Sequence, residues 1–187
     1  MTVASVRTKA VILDAARREF AAHGLAGARV DRIAKLAGAN VQRIYAYYTD
    51  KQGLFDAVVE DAADDLVAAI GSPADLAAFT TAVFDFVTQN PDSTRTMIWA
   101  RLEREEEFFR LMGTRANGQT PIAVVARLQD AGLVTTAWDA TTIVEAIIAL
   151  CERWHSSAQE NDRDHERSYR ELVVGFARTF EVEPAAS

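Results

Sequence analysis

Two short helix-forming segments on either side of Gly38 constrain the fold of this chain more than any other feature. Residues 30–37 carry Ile33 at inward-facing helical spacing and stop at a glycine. Residues 40–47 form a second short amphipathic segment with Ile44 on its inner face. Small alanine side chains in both segments allow the close helix crossing that a helix-turn-helix requires. We therefore expect a helix-turn-helix whose second helix is free to enter a DNA major groove.

The rest of the chain also follows the helical period, and no alternating strand pattern of useful length interrupts it. The sequence therefore predicts an all-α fold of about nine helices, with a domain boundary between residues 1–50 and residues 51–187. The expected helices outside the central pair cover residues 8–23, 51–70, 74–89, 92–112, 120–131, 139–158 and 164–181. Polar loops are expected at residues 113–119 and 159–163.

Charge is distributed unevenly along the 187 residues. The formal net charge is −7, which by itself argues against a nucleic-acid partner. Residues 1–51, however, hold nine bases and four acids, whereas the remainder holds 11 bases and 23 acids. The chain thus carries a head of net charge +5 on a body of net charge −12. A basic head on an acidic body is typical of a protein whose head contacts phosphates.

Hydropathy and cysteine content predict a protein of the reducing cytoplasm. No run of 18 or more uncharged apolar residues is present, so no membrane helix is expected. The first 20 residues lack the apolar block and cleavage site of a signal peptide. Cys151 is the single cysteine and cannot form an internal disulfide.

Four motifs along the first third of the chain identify a family. They are ILDAARREFAAHG at 12–24, IAKLAG at 33–38, IYAYY at 44–48 and DKQGLF at 50–55. In order and spacing they resemble the TetR family of bacterial transcriptional regulators, over about residues 8–60. The resemblance implies an N-terminal DNA-binding domain and a C-terminal domain for effector binding and dimerisation.

The resemblance also implies which residues contact DNA. The positions that match are Arg29, Val41, Gln42, Arg43, Tyr45, Tyr47 and Lys51. Positions 41–43 usually face bases in the family, and Arg43 can form two hydrogen bonds with guanine, as Gln42 can with adenine. Tyr45, Tyr47 and Lys51 occupy phosphate-contacting positions, whereas the next aromatic, Tyr48, falls on a core position.

Two positions depart from the family pattern. Arg29 stands where a small hydroxyl residue is common, so a charged phosphate contact is expected in place of a hydroxyl contact. Gln42 stands where a small residue or glycine is common. Because Gln42 and its neighbour Arg43 are bulkier than usual, the operator sequence of a relative does not transfer to this chain.

In the body, the helix expected at 139–158 is apolar on two faces, so that one face can pack internally and the other against a second subunit. In the family the last two helices pair in a four-helix dimer interface. The dimer-interface candidates are Ile143, Ile147, Leu150, Trp154, Tyr169, Val173 and Phe176. The effector-pocket candidates are Phe84, Trp99, Phe108, Met112, Trp138 and Cys151. A purely internal helix at 139–158, and ordinary core packing of the aromatic residues, remain open alternatives.

The function predicted from these features is a homodimeric repressor that binds a palindromic double-stranded operator and is released by an unknown small-molecule effector. The alternative is a ligand- or protein-binding helical module without operator binding. An enzyme is not expected. The three histidines are scattered, no Cys/His metal spacing occurs, and neither a phosphate-binding glycine loop nor a nucleophile elbow is present. The sequence therefore predicts no catalytic residue, metal site or cofactor.

Overall fold

A computed structural model describes residues 3–113, 120–157 and 163–182. Those ranges hold ten helices and, between Val134 and Glu181, an isolated antiparallel bridge, so the predicted all-α class is confirmed. In chain order the helices are α1 (Val3–Gly27), α2 (Val30–Ala37), α3 (Val41–Tyr47), α4 (Lys51–Ile70), α5 (Leu76–Gln89), α6 (Pro91–Glu103), α7 (Glu105–Gly113), α8 (Pro121–Asp130), α9 (Ala140–Ser157) and α10 (Arg163–Arg178). None of the described helices is long and apolar enough to cross a membrane.

The chain divides into two compact units, and α4 begins in the first and ends in the second. The first unit joins residues 3–64 with residues 91–113, and the second joins residues 65–90 with the described residues from 120 onward. This division differs from the boundary expected after residue 50. The reason is that the first half of α4 supplies Leu54, Phe55 and Val58 to the core beneath α1.

The core of the first unit is built around α1 and α4. Ile12 and Phe20 of α1 are fully buried, and the Phe20 and Phe55 rings meet edge to face with centroids 4.9 Å apart. Ile33 of α2 and Ile44 of α3 are also fully buried in this core. Ile33 and the buried Ala34 of α2, together with Ile44 of α3, therefore anchor the helix-turn-helix on α1 and α4.

The ends of the central helices follow the capping residues in the sequence. Gly38 ends α2 in the left-handed region at φ 60° and ψ 30°. The Asn40 side chain accepts a 2.7 Å hydrogen bond from the Arg43 amide and caps α3. Asp50 accepts a 2.7 Å hydrogen bond from the Gly53 amide and caps α4 in the same way. Both side chains therefore act as N-caps.

Two helices differ from the prediction. Gly24 does leave helical geometry, at φ 63° and ψ −176°, but one further helical turn follows it before α1 ends. The single helix expected at 92–112 is wrong, because the structure breaks it at Arg104 into α6 and α7. Arg104 forms an ion pair with Asp56 of α4. Of the predicted loops at 113–119 and 159–163, residues 114–119 and 159–162 lie outside the described residues.

The second unit packs α5, α8, α9 and α10 together. Phe79 and Phe84 of α5 and Ile147 of α9 are fully buried in it. Asp85 of α5 accepts two 2.6 Å hydrogen bonds from the Arg170 guanidinium of α10. These contacts fix α10 along α5 and α9.

Candidate nucleic-acid interface

Helix α3 presents polar side chains outward while a single apolar residue anchors it. Ile44 is fully buried, whereas Gln42, Arg43 and Tyr45 are exposed. This separation follows from the helical period, which turns successive residues by about 100° and so directs residues 42, 43 and 45 away from the side on which residue 44 lies. The exposed face carries hydrogen-bond donors and acceptors of the kind that base edges in a major groove pair with.

The remaining residues of α3 and its C-terminal end are held more firmly. Val41 is half-buried against the core of the first unit. The Tyr47 hydroxyl is half-buried and lies 3.0 Å from the Ser5 hydroxyl of α1. Tyr48 is 6% exposed, and the Lys9 ammonium lies 5.6 Å from its ring centroid, which confirms its predicted packing role. Burial, and secondarily the charge of Asp61, raises the pKa of Tyr48 to about 12.

The N-terminus of α2 is capped by a carboxylate from another helix. Arg29 is the N-cap residue, its side chain is exposed, and it makes no side-chain cap. Instead, the Arg29 amide donates a 2.9 Å hydrogen bond to Glu19 Oε1 of α1, and Arg32 Nε donates one of 2.7 Å to the same oxygen. Burial raises the pKa of Glu19, but the hydrogen bonds from Arg32 and the Arg29 amide outweigh it and leave that pKa below 4.5. Glu19 is therefore an ionised group only 5% exposed.

Lys51 contacts the protein backbone in this structure. Its ammonium donates hydrogen bonds of 3.2 Å to the Ala28 carbonyl and 3.4 Å to the Ala26 carbonyl. The family resemblance predicts a phosphate contact for Lys51. Nothing in the sequence predicts its hydrogen bonds to the two backbone carbonyls. Because an ammonium has three N–H donors, one donor remains beyond these two contacts.

The basic residues of the head differ in what they contact. Arg17, Arg18 and Arg32 form ion pairs with Asp61, Asp14 and Glu19. Five others are exposed and have no acidic partner in the described part of the chain: Arg7, Lys9, Arg29, Lys35 and Arg43. The positive charge available to a phosphate backbone therefore lies on these five residues and on Lys51.

Comparison with known proteins identifies the family. Residues 12–58 match the model of bacterial regulatory proteins of the tetR family, and residues 75–178 match the tetracyclin repressor-like C-terminal domain. The HTH-type transcriptional repressor SCO4008 of Streptomyces coelicolor is 34% identical over 155 residues, covering 76% of each protein. The chain belongs to the TetR family. It is a DNA-binding transcriptional regulator, and its family is not one of enzymes.

Solved structures of TetR-like proteins share this fold. SCO4942 of Streptomyces coelicolor, proposed to be a transcriptional regulator, is 30% identical, with a TM-score of 0.75 over 95% of this chain and 99% of its own. The transcriptional regulator FadR of Bacillus subtilis, solved in complex with stearoyl-CoA, is 19% identical. It aligns with a TM-score of 0.66 over 88% of this chain and 97% of its own. The second likeness concerns the fold alone.

The candidate effector residues of this TetR-family regulator divide between the two units. Trp99, Phe108 and Met112 pack against the core of the first unit, and the Trp99 indole N–H donates a 3.2 Å hydrogen bond to the Ala21 carbonyl. These three side chains therefore lie in the first unit, and their role in an effector pocket stays a prediction.

The other three effector candidates belong to the second unit. Phe84 and Cys151 are fully buried, whereas Trp138 is 57% exposed. The Phe84 ring lies 6.1 Å from the Trp154 ring and 6.3 Å from the Tyr169 ring. Burial, with a smaller contribution from Glu152, raises the pKa of the Cys151 thiol to about 12.

Most of the dimer-interface candidates on α9 and α10 face the chain's own core. The buried members are Ile143, Ile147, Trp154 and Val173. A side chain already buried in its own unit has almost no surface left to lose to a partner, and a role of these four in a dimer interface stays a prediction. Leu150, Tyr169 and Phe176 are half-buried, and the Tyr169 hydroxyl donates a 2.9 Å hydrogen bond to the Leu150 carbonyl.

The sequence prediction missed Leu172, which is 61% exposed on α10. It falls three residues after Tyr169 and four before Phe176, so the three share one helix face. The spacing of three and four residues could have identified Leu172 as a member of this apolar face from the sequence. The apolar surface of α10 left uncovered by the described chain therefore centres on Leu172.

Proposed function

We propose that this TetR-family regulator is a homodimeric repressor that reads a palindromic operator through α3 and is released by a small-molecule effector. The observation that carries the proposal is the orientation of α3, which buries Ile44 and exposes Gln42 and Arg43. A short helix held by one apolar anchor with two exposed polar side chains fits the geometry of a recognition helix.

In this proposal the exposed residues divide the recognition work. Arg43 donates two hydrogen bonds to a guanine, and Gln42 pairs with an adenine, while Val41 borders the base edges. Phosphates are contacted by the exposed Arg29 and Tyr45, by Tyr47, and by the third N–H of Lys51. Phosphate contacts fix the position of the protein on the duplex, and base contacts carry the sequence preference.

The proposed dimer uses the exposed face of α10. Tyr169, Leu172 and Phe176 lie on one side of this helix, and Leu150 of α9 adjoins Tyr169. A two-fold contact through this face gives two copies of α3. These would need to lie about 34–36 Å apart to enter successive major grooves.

Effector release is supported by the match of residues 75–178 to the tetracyclin repressor-like C-terminal domain. FadR of Bacillus subtilis, which shares the fold, was solved with stearoyl-CoA bound. An effector that binds one conformation of the body more tightly than another shifts the population away from the DNA-binding state.

The test is selection of a duplex from a randomised pool, followed by affinity measurements with that duplex and with a scrambled one. Arg43→Ala is expected to weaken binding to the selected duplex by about 10–100-fold, since a bidentate base contact contributes roughly 1–3 kcal/mol of discrimination. The matched control is Lys35→Ala, which removes one exposed positive charge from α2. It should lower both affinities alike and leave discrimination intact. If Arg43→Ala and Lys35→Ala behave identically, α3 does not read bases.

A further inference from the structure

Residues 25–29, which comprise the last turn of α1 and the two residues before α2 and are called the link below, are held by charged side chains at every one of their five positions. At its two ends, backbone amides donate to carboxylates. The Leu25 amide donates a 2.8 Å hydrogen bond to Glu103 Oε2, and the Arg29 amide donates one of 2.9 Å to Glu19 Oε1. Hydrogen bonds to ionised acceptors are about twice as strong as neutral ones.

In the middle of the link, backbone carbonyls accept from cations. The Lys51 ammonium donates to the Ala26 and Ala28 carbonyls, at 3.4 and 3.2 Å. Arg32 Nη2 donates a 2.9 Å hydrogen bond to the Gly27 carbonyl. Acids thus hold the amides and bases hold the carbonyls, so each charge is matched to the backbone group that it contacts.

The four side chains that hold the link come from four different helices. Glu19, Arg32 and Lys51 lie in the part of the chain that matches the family's N-terminal model, residues 12–58. Glu103 does not, because it is the last residue of α6. The helix-turn-helix is therefore tied to α6 by an amide contact at the start of the link.

The backbone at Gly24 leaves space for this contact. Gly24 has a φ of 63°, and a Cβ there would lie 2.6 Å from Glu103 Oε1 and 3.0 Å from the Trp99 ring. The Trp99 indole N–H donates to the Ala21 carbonyl one turn earlier, at 3.2 Å. Absence of a side chain at Gly24 thus lets α6 approach the end of α1 closely enough for Glu103 to reach Leu25.

We propose that Glu103 is a positioning residue for operator reading. It fixes the first residue of the link, and α2 begins directly after the link at residue 30, so that α2 and the α3 packed on it keep one orientation relative to α1. The inference rests on the proposed role of α3 in base reading. Because direct readout requires side chains placed to within about half an ångström, a looser link reduces sequence discrimination before it reduces stability.

The experiment measures binding of Glu103→Ala and Glu103→Gln to the selected duplex and to the scrambled duplex. Glu103→Ala is expected to weaken binding to the selected duplex about tenfold, corresponding to about 1.4 kcal/mol, with unchanged affinity for the scrambled duplex. Glu103→Gln keeps an oxygen that accepts from the Leu25 amide and should stay close to the unmodified protein. Glu106→Ala is the matched control, since Glu106 is exposed and has no ion pair in the described part of the chain.

A second readout separates positioning from loss of folding. Hydrogen exchange of a peptide covering residues 25–29 should accelerate in Glu103→Ala but not in Glu106→Ala, while exchange of peptides elsewhere in the first unit stays unchanged in both variants. The proposal is overturned if exchange is unchanged, if both duplexes are bound more weakly by the same factor, or if the alanine and glutamine variants both bind every duplex more tightly through loss of negative charge.

The Arg43→Ala variant, measured in the same experiment, distinguishes failure of this proposal from failure of the proposed function. If it retains discrimination, base reading by α3 fails. If Arg43→Ala loses the preference for the selected duplex and Glu103→Ala keeps it, α3 reads bases and only the proposed role of Glu103 is wrong.

Discussion

Removal of the Glu19 carboxylate should destabilise the helix-turn-helix through a contact inside the protein. Glu19 is 5% exposed and accepts hydrogen bonds from the Arg29 amide and from Arg32 Nε. Each hydrogen bond to a charged group contributes about 1.5–3 kcal/mol. Arg32 is 41% exposed, so its guanidinium regains water when the partner is lost, and the pair contributes less than a fully buried one.

On these grounds Glu19→Ala should lower the free energy of unfolding by about 2–3 kcal/mol. For a chain of this length that loss corresponds to a fall in melting temperature of roughly 5–10 °C. Urea unfolding and thermal unfolding, each at a fixed protein concentration, measure the two quantities. Glu106→Ala, which removes an exposed carboxylate, should change either quantity very little.

The pH dependence gives an independent check of the same contact. The pKa of Glu19 lies below 4.5 in the folded protein, so its contribution is fully present above about pH 4.5 and is lost as the pH falls through the folded pKa. The stability difference between the unmodified protein and Glu19→Gln should therefore be constant at neutral pH and shrink below pH 4.5. A difference that grows on acidification, or a Glu19→Ala loss no larger than that of Glu106→Ala, would refute the reasoning.

Two further outcomes follow from buried groups. Tyr48→Phe should raise the free energy of unfolding by about 1 kcal/mol, because the Tyr48 hydroxyl is buried without a hydrogen-bond partner among the described residues. Urea unfolding measures the gain, exposed Tyr45→Phe is the control, and a loss of stability would show that the hydroxyl is satisfied. Cys151 is fully buried and its pKa is raised to about 12, so at pH 8 a thiol reagent should label it only as fast as the protein unfolds. Rapid labelling of the folded protein would contradict its placement.

The sequence predicts the helices of the head well because their ends are set by local chemistry. Asn40 and Asp50 cap through residues three positions away, and Gly38 supplies a left-handed residue where α2 stops. These signals act within a few residues, so a single sequence contains them. The break at Arg104 is different, because its partner Asp56 lies 48 residues earlier and only tertiary structure brings the two together.

The difference between local and tertiary signals also explains which features of the candidate sites the sequence predicts. The helical period alone places Ile44 inward and Gln42 outward on α3, so the orientation of the recognition face is predictable. Trp99 and Ile147 are apolar residues on helices, and periodicity does not tell which neighbour covers them. The structure places Trp99 against α1 and buries Ile147 within the second unit, and the sequence pattern specifies neither of these surroundings.

For Lys51, the motif predicts the type of residue but not all of its contacts. The motif identifies a cation at the start of α4, and in the structure that cation holds the Ala26 and Ala28 carbonyls. The two hydrogen bonds to backbone carbonyls already orient the Lys51 ammonium. Binding a phosphate through the third N–H therefore costs less side-chain entropy than it would for a free lysine. The same contacts that stiffen the link would thus strengthen a phosphate contact, and a substitution at Lys51 would remove both. For that reason Glu103, whose carboxylate is not expected to touch DNA, isolates the contribution of the link better than any residue inside the motif.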